Sequence, residues 1–453
     1  MFKKNLKPLW LSLVMSIVTG SVMAQTGEAL TLKEALNYAV QHYTDARKAR
    51  LDLENAQYKI DEVRSRALPQ ISGSGQLNYN PLLQQSVLPG ALNPSNPGQD
   101  MLIAFGQKWN ANVGVNLTQN LFDQSVFTGL KAAKTTKEFY TLNNQLTEEQ
   151  VLEQVATSYY QVFVQRQQIA NVDSNISTTQ KAYNIIKGQF ESGLGKQIDV
   201  DRVTVQLSNL QSQRQQLLNA VTQYENQLKF YIGMPVTQPV VIEDPEQLDI
   251  AVFQLDLPDS LNANNRTEIR VLNKQEELLE YQKKSIVAEY YPTLSLTSNY
   301  SYQSLSNRFP IGAGRNGNSF DVAAIGLNLK IPIFNGHATK ARINQANVEL
   351  KRLREDRTKT KNSIDLSYEN AKTQIKNNII ILNNQKINVE LAQKVLDNTR
   401  SNYQLGLAPL TDLLDAQNAL SEAQNNHVAA MLNYRVAEIQ LIKSKGMLKT
   451  LMN

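Results

Sequence analysis

Asp412 and Asp415 stand three residues apart, so on a helix they share one face. Carboxylates at a helix start stabilise the N-terminus by roughly 0.3–1 kcal/mol, and that alone is enough to explain them. Asp199 occupies the equivalent place in an earlier copy of the same stretch, and Tyr403 carries the nearest hydroxyl that could bond to an acid. The other residue types rule out most chemistry. There is no cysteine, which removes thiolate nucleophiles, disulfides and cysteine metal sites. The three histidines, His42, His337 and His427, lack ligand spacing. No nucleophile–base pattern or phosphate-binding glycine loop occurs, so no catalytic residue, cofactor or metal is expected.

The acids are positioned by two helix–turn–helix tips. Residues 403–416 read YQLGLAPLTDLLDA and residues 190–203 read FESGLGKQIDVDRV, which places Gly193 under Gly406, Leu194 under Leu407 and Asp199 under Asp412. An aromatic residue, a glycine free to take positive φ, then an acid at the next helix start describes each tip. After the second tip the seam runs Leu413, Ala416, Leu420, Ala423, His427, Ala430, Tyr434, Ala437, Leu441. After the first it runs Val200, Val203, Leu207, Leu210, Arg214, Leu217, Val221, Tyr224, Leu228. A seven-residue seam held this long requires a coiled-coil partner and left-handed supercoiling, and the alanines require close approach. His427 aligns with Arg214 as a polar seam residue.

The chain begins with Lys3, Lys4 and Lys7, an apolar run from Leu9 to Val18, then Val22-Met-Ala24, the pattern of a secretory signal peptide over 1–24. Its removal lowers the net charge from +5 to about +2, so the basic balance does not imply a nucleic-acid partner. No later apolar run reaches the ~20 residues of a spanning helix, so any membrane crossing falls to strands. A helix is expected over 31–67, capped by Thr31 with Glu34 and ended before Pro69. Period-two alternation follows from Ile71 to Tyr79 and again from Trp109 to Leu121, one face apolar and the other Asn, Ser, Thr and Gly. The turn-rich stretch 81–105 between them is expected to hold no regular element. A helix from Gln124 to about Glu191 would approach 100 Å. The first tip and a second helix end at Gly233, and residues 234–264 read as an irregular connection.

The plan then repeats: a helix over 267–290, strands from Leu294 to Tyr302 and Ile325 to Ile333 around a loop at 303–319, and a long helix, tip and return helix over 335–446. Residues 447–453 form a tail. Gly114 aligns with Gly326 at an offset of 212, and Gly193 with Gly406 at 213, so an internal duplication spans the mature chain. The expected segments are 25–67, 68–122, 123–233, 234–264, 265–291, 292–334 and 335–446. Four lipid-type strands cannot close a barrel, for which the smallest single chains use about eight, so the chain is expected to oligomerise.

The residues resemble the TolC-like outer membrane efflux proteins, through RTEIR at 266–270, YPTL at 291–294, PIFNGHATKARINQA at 332–346 and, above all, YQLGLAPLTDLLDA. With the signal peptide and duplicated order, the resemblance covers almost the whole mature chain. It implies a mixed α and β membrane protein: a homotrimer with a twelve-stranded transmembrane β-barrel, four strands per chain, in outer membrane lipid, continuous with a long α-helical coiled-coil periplasmic barrel. It implies an exit duct docked by a periplasmic adaptor (membrane fusion) protein and an inner-membrane pump of RND, ABC or MFS type, serving efflux or type I secretion. By the same resemblance Asp412 and Asp415 form an acidic ring at the periplasmic gate, Asp199 and Tyr403 form a latch, and the tip turns Gly193, Leu194, Gly406 and Leu407 meet the adaptor. Loops 81–105 and 303–319 face the exterior. The rival reading is a structural or adhesive outer-membrane coiled coil that transports nothing.

Overall fold

The computed structural model describes residues 29–243, 262–309 and 317–452. The leader expected over 1–24, most of the connection expected over 234–264 and the crown of the loop at 303–319 lie outside those residues. In chain order come α1 (Leu32–His42), α2 (Thr44–Ser65), β1 (Gln70–Tyr79), β2 (Gln85–Leu88), β3 (Met101–Ala104), β4 (Trp109–Phe122), α3 (Gln124–Glu191) and α4 (Gln197–Ile232). They are followed by α5 (Thr267–Val287), β5 (Thr293–Ser306), β6 (Gly317–Lys330), α6 (Ala338–Gln404) and α7 (Leu410–Ser444).

The strands β1-β4-β5-β6 form one antiparallel sheet in that order. Register decides what its faces are. Ile71, Leu77 and Tyr79 lie opposite Leu117, Ala111 and Trp109. Val113 and Val115 lie opposite Tyr302 and Tyr300, and Leu294, Leu296 and Ser298 opposite Leu329, Leu327 and Ile325. The apolar sides of all four strands therefore coincide on one face. That face has no cover within the chain: Ile325 is 80% exposed and Val113 64%. A sheet with one continuous bare apolar face is suited to lipid rather than water. The 14 residues of β5, at about 3.3 Å each, can cross ~30 Å of hydrocarbon even at a ~45° tilt. No described helix is long and apolar enough to cross a membrane. A Cβ on Gly114 would fall 2.8 Å from both the Ser301 Cβ and the Tyr300 carbonyl oxygen, so this position needs glycine. Its aligned partner Gly326 meets nothing closer than 3.7 Å.

Four expectations are corrected. The helix expected over 31–67 is two helices, broken at Tyr43, which is extended at ψ 137°. Packing imposes the break. The Tyr43 ring lies edge-on to Phe230 and Tyr231, at 5.9 and 6.2 Å between centroids, and Gly233 comes so near that a Cβ on it would sit 2.6 Å from the His42 carbonyl oxygen. The stretch 81–105 does hold regular elements, because β2 pairs with β3. Asn93 organises the turn between them: its side chain donates to the Gln99 carbonyl at 2.8 Å and accepts from Ser95 N–H at 3.0 Å. The loop at 303–319 is shorter than expected because β5 runs to Ser306 and β6 starts at Gly317. At its other end β6 stops at Lys330, which leaves Ile331 and Ile333 beyond the sheet. The C-terminal tail is a 3-10 turn, Leu448–Met452, with Leu448 buried against the central core.

Below the sheet the helices lie side by side in two tiers. Nearer the sheet the neighbours run α2, α3, α5, α6, and toward the tips α4, α3, α7, α6. α3 has 68 residues and α6 has 67, each about 100 Å long. Where the tiers meet, the largest core collects Leu36, Leu152, Val155, Val162, Leu228, Ile232 and Ile439. Here Arg166 donates to Glu225 at 2.6 Å and to the Val240 carbonyl at 3.1 Å, tying α3 to α4 and to the segment beyond it. The α7 seam is buried at every expected position except His427, which is half-buried; in α4 the half-buried seam positions are Arg214, Leu217 and Tyr224.

Burial, reinforced by the charge of Lys386, holds His427 below the ordinary histidine pKa of 6.5. As pH falls through that value the unfolded chain takes the proton first, so the stability that depends on neutral His427 is lost. Thermal unfolding followed from about pH 7.5 to about pH 5.5 should show a smaller acid-induced drop in midpoint for His427→Gln than for the wild type.

Candidate functional site

Both tips close by the same hydrogen-bond motif. At the first, Leu194 N–H donates to the Gln189 carbonyl at 2.8 Å and Gly193 N–H to the Phe190 carbonyl at 2.9 Å. At the second, Leu407 N–H donates to Asn402 at 2.8 Å and Gly406 N–H to Tyr403 at 3.0 Å. Each is a six-residue Schellman cap, which needs its fifth residue left-handed. Gly193 has φ 77° and Gly406 φ 74°. Leu194 and Leu407 follow at 86% and 75% exposure. Such a leucine ordinarily folds back on the helix it terminates. Here both remain free for a surface outside the chain.

After the caps the acids enter the next helices. Asp199 lies in the first turn of α4 and Asp412 in the first turn of α7. Asp199 is half-buried and 3.7 Å from Arg202. Asp412 and Asp415 are exposed, and among the described residues neither has an ion pair or hydrogen bond. Three residues apart, the two carboxylates share one exposed face of α7. The Tyr403 hydroxyl donates to Gln189 Oε1 at 3.5 Å, across from α6 to α3. Burial raises the Tyr403 pKa, and the nearby Asp199 carboxylate raises it further. The Tyr403 hydroxyl is thus taken by Gln189 and not, as expected, by Asp199, whose carboxylate faces Arg202. Gln189 went unnoticed in the sequence. It aligns with Asn402, but nothing in residue type or spacing distinguishes it from the other glutamines of the helix. Behind the tips, Ile186, Val203, Leu396, Leu410, Leu413 and Leu420 pack the two hairpins together.

A family model described as outer membrane efflux protein matches residues 35–234 and 257–447. The chain belongs to the outer membrane efflux protein family. Outer membrane protein TolC of Escherichia coli (strain K12) is 23% identical over 463 positions, covering 98% of this chain and 87% of that protein. Outer membrane efflux protein BepC of Brucella suis is 23% identical, covering 95% of this chain and 88% of that one. In fold, the CmeC outer membrane channel of Campylobacter jejuni superposes with a TM-score of 0.70 at 16% identity, covering 98% of this chain and 94% of that one. The MtrE outer membrane channel of Neisseria gonorrhoeae, in its open state, gives 0.70 at 18%, covering 92% and 88%. This outer membrane efflux protein is therefore a protein of the outer membrane, an exit duct and not an enzyme.

Because no heavy atom lies within 4 Å of a Cβ on Gly406, its replacement meets only backbone strain. Gly406→Ala should cost about 1 kcal/mol, with Gly406→Asn recovering much of it. Chemical unfolding of the two variants beside the wild type checks this.

Proposed function

We propose that three copies of this chain form a continuous duct, twelve strands closing a barrel in the outer membrane and the helices closing a periplasmic tunnel beneath it. The observation that carries this is the pair of matching edges. β1 and β6 are the two unpaired edges of the sheet. Below them α2 and α4 stand at one side of the helical layer and α6 at the other. Those edge helices carry apolar side chains with nothing on them: Leu51 and Tyr58 on α2, Ile198 and Val205 on α4, and Ile380, Ile387, Leu391 and Val395 on α6. Edges that differ in this way join head to tail and close a ring. The repeated order of helix, two strands and two helices supports an internal duplication and gives each copy two barrel hairpins. Loops 81–105 and 303–319 then face the exterior and both tips face the periplasm.

At the tips the duct meets a periplasmic adaptor, through which an inner-membrane pump delivers substrate; the exposed Leu194 and Leu407 support that contact. Around the threefold axis Asp412 and Asp415 become an acidic ring, and the Asp199, Tyr403 and Gln189 cluster holds neighbouring helix pairs in the closed arrangement. The protein in detergent should have about three times the chain mass by detergent-corrected light scattering. Ile387→Asp with Leu391→Asp, exposed in the single chain, should shift it to monomer. A monomeric wild type would overturn the duct.

The gate has its own test in single-channel recording. The resting channel should select cations and be blocked from the periplasmic side by multivalent cations, and Asp412→Ala with Asp415→Ala should weaken both. Tyr403→Phe with Asp199→Ala removes a contact worth roughly 0.5–1.5 kcal/mol and should raise conductance with selectivity retained. Unchanged selectivity and block in the double aspartate variant would return these acids to helix-start residues.

A further inference from the structure

At the other end of the molecule, directly below the sheet, α5 lies between α3 and α6, and a groove of about 830 Å³ is lined by all three. The chain's own contacts fix the side on which it opens. Phe122 lies opposite Leu294 and so belongs to the apolar face of the sheet. Its ring meets that of Phe127 at 6.0 Å. Lys131, one turn on from Phe127, shares that side of α3 and lines the groove. The groove therefore opens on the side of the bare apolar face, immediately beneath it. Its upper end holds Gln124, the first residue of α3, and Tyr291, two residues before β5. Lys131 stands about two turns, or about 10 Å, lower. The polar layer of a bilayer extends about 5–8 Å beyond the hydrocarbon on each side. The groove thus occupies the headgroup level, with the exposed rings of Phe127 and Tyr291 where an aromatic belt sits.

Its charge is one-sided. Lys131 from α3, Lys283 and Lys284 from α5 and Lys351 from α6 line the groove against one acid, Glu280. Arg354, the remaining cation, is held by Glu276 at 2.6 Å and feels Glu280 as well. Lys284 lies over the Tyr281 ring, 5.0 Å from its centre. Among the described residues Lys131, Lys283 and Lys351 have no ion pair or hydrogen bond. Between the same helices other cations are answered: Lys274 meets Glu138 at 2.7 Å, and Arg342 meets Glu289. Lysines gathered from three helices repel one another and call for an anion from outside. The apolar face above them says what kind. We propose that the groove binds an anionic phospholipid, its phosphate among Lys131, Lys284 and Lys351 and its acyl chains rising past Val287 and Tyr291 onto the sheet. The phosphodiester answers the lysines, and the acyl chains cover apolar surface that a free anion would leave bare. With the tips in the periplasm the lipid belongs to the periplasmic leaflet, and only that choice of leaflet rests on the topology proposed above.

The probe is phosphatidylglycerol with a fluorescent acyl chain, titrated by anisotropy into the full chain in a non-ionic detergent. Saturable binding at one site per chain is expected, at least fivefold tighter than for phosphatidylcholine bearing the same chains. Lys131→Ala with Lys351→Ala should weaken it at least fivefold. Both lysines are exposed, so that variant keeps its fold. Lys376→Ala with Lys394→Ala removes the same charge from exposed positions lower on α6 and should leave binding unchanged. Equal affinity for the two lipids, or for the wild type and the Lys131→Ala, Lys351→Ala variant, would overturn the site and leave the probe to the micelle. Displacement by glycerol 3-phosphate as effective as by unlabelled phosphatidylglycerol would show that phosphate alone is recognised and overturn the lipid. The groove lies within one chain, so its fate is separate from that of the duct. Selective, lysine-dependent binding to a protein that light scattering finds monomeric would keep the site and refute the trimer, and a trimer without such binding would do the reverse.

Discussion

A backbone amide without a partner in hydrocarbon costs several kcal/mol, and β1 and β6 each present a row of them along the open sheet. The rest of the chain is consistent with that one requirement. β4 and β6 each lead through a short connection into a long helix, so the layer begun by the sheet continues below it. The bare apolar stripes of α2, α4 and α6 lie beneath the unpaired strands. Backbone pairing above and side-chain packing below thus call for the same neighbour in the same place.

The two tips share a cap and differ in charge. In the first hairpin Asp199 lies near Arg202 and beside Tyr403, so its charge is partly answered within the chain. In the second, Asp412 and Asp415 stand exposed and unpaired. The charge of the first is thus engaged within the chain, and that of the second faces outward.

The long helices, both glycine turns, the four strand faces and the seams were legible in the sequence because each rests on local periodicity or on a residue whose conformational freedom is distinctive. The break at Tyr43 was not, since residues 31–67 read as helix throughout and only the approach of Gly233 and the rings of Phe230 and Tyr231 forces ψ out of the helical range. The β2–β3 pair was hidden by the prolines and glycines around it, which mark turns without saying what they join. Aligning Gly114 with Gly326 could not reveal that only the first needs glycine, because a close approach belongs to the facing strand. Gln189 was illegible for the same reason: its partner lies 214 positions away.

The central core sits where α4 ends, and from there α4 runs 36 residues, about 54 Å, to its tip. A rod of that length is a lever arm. One degree of tilt at the core displaces the far end by about 1 Å, the scale of a broken hydrogen bond. Side-chain rearrangements around Arg166 and Glu225 too small to disturb the core would therefore be amplified at the far end into a shift large enough to break the Tyr403–Gln189 hydrogen bond.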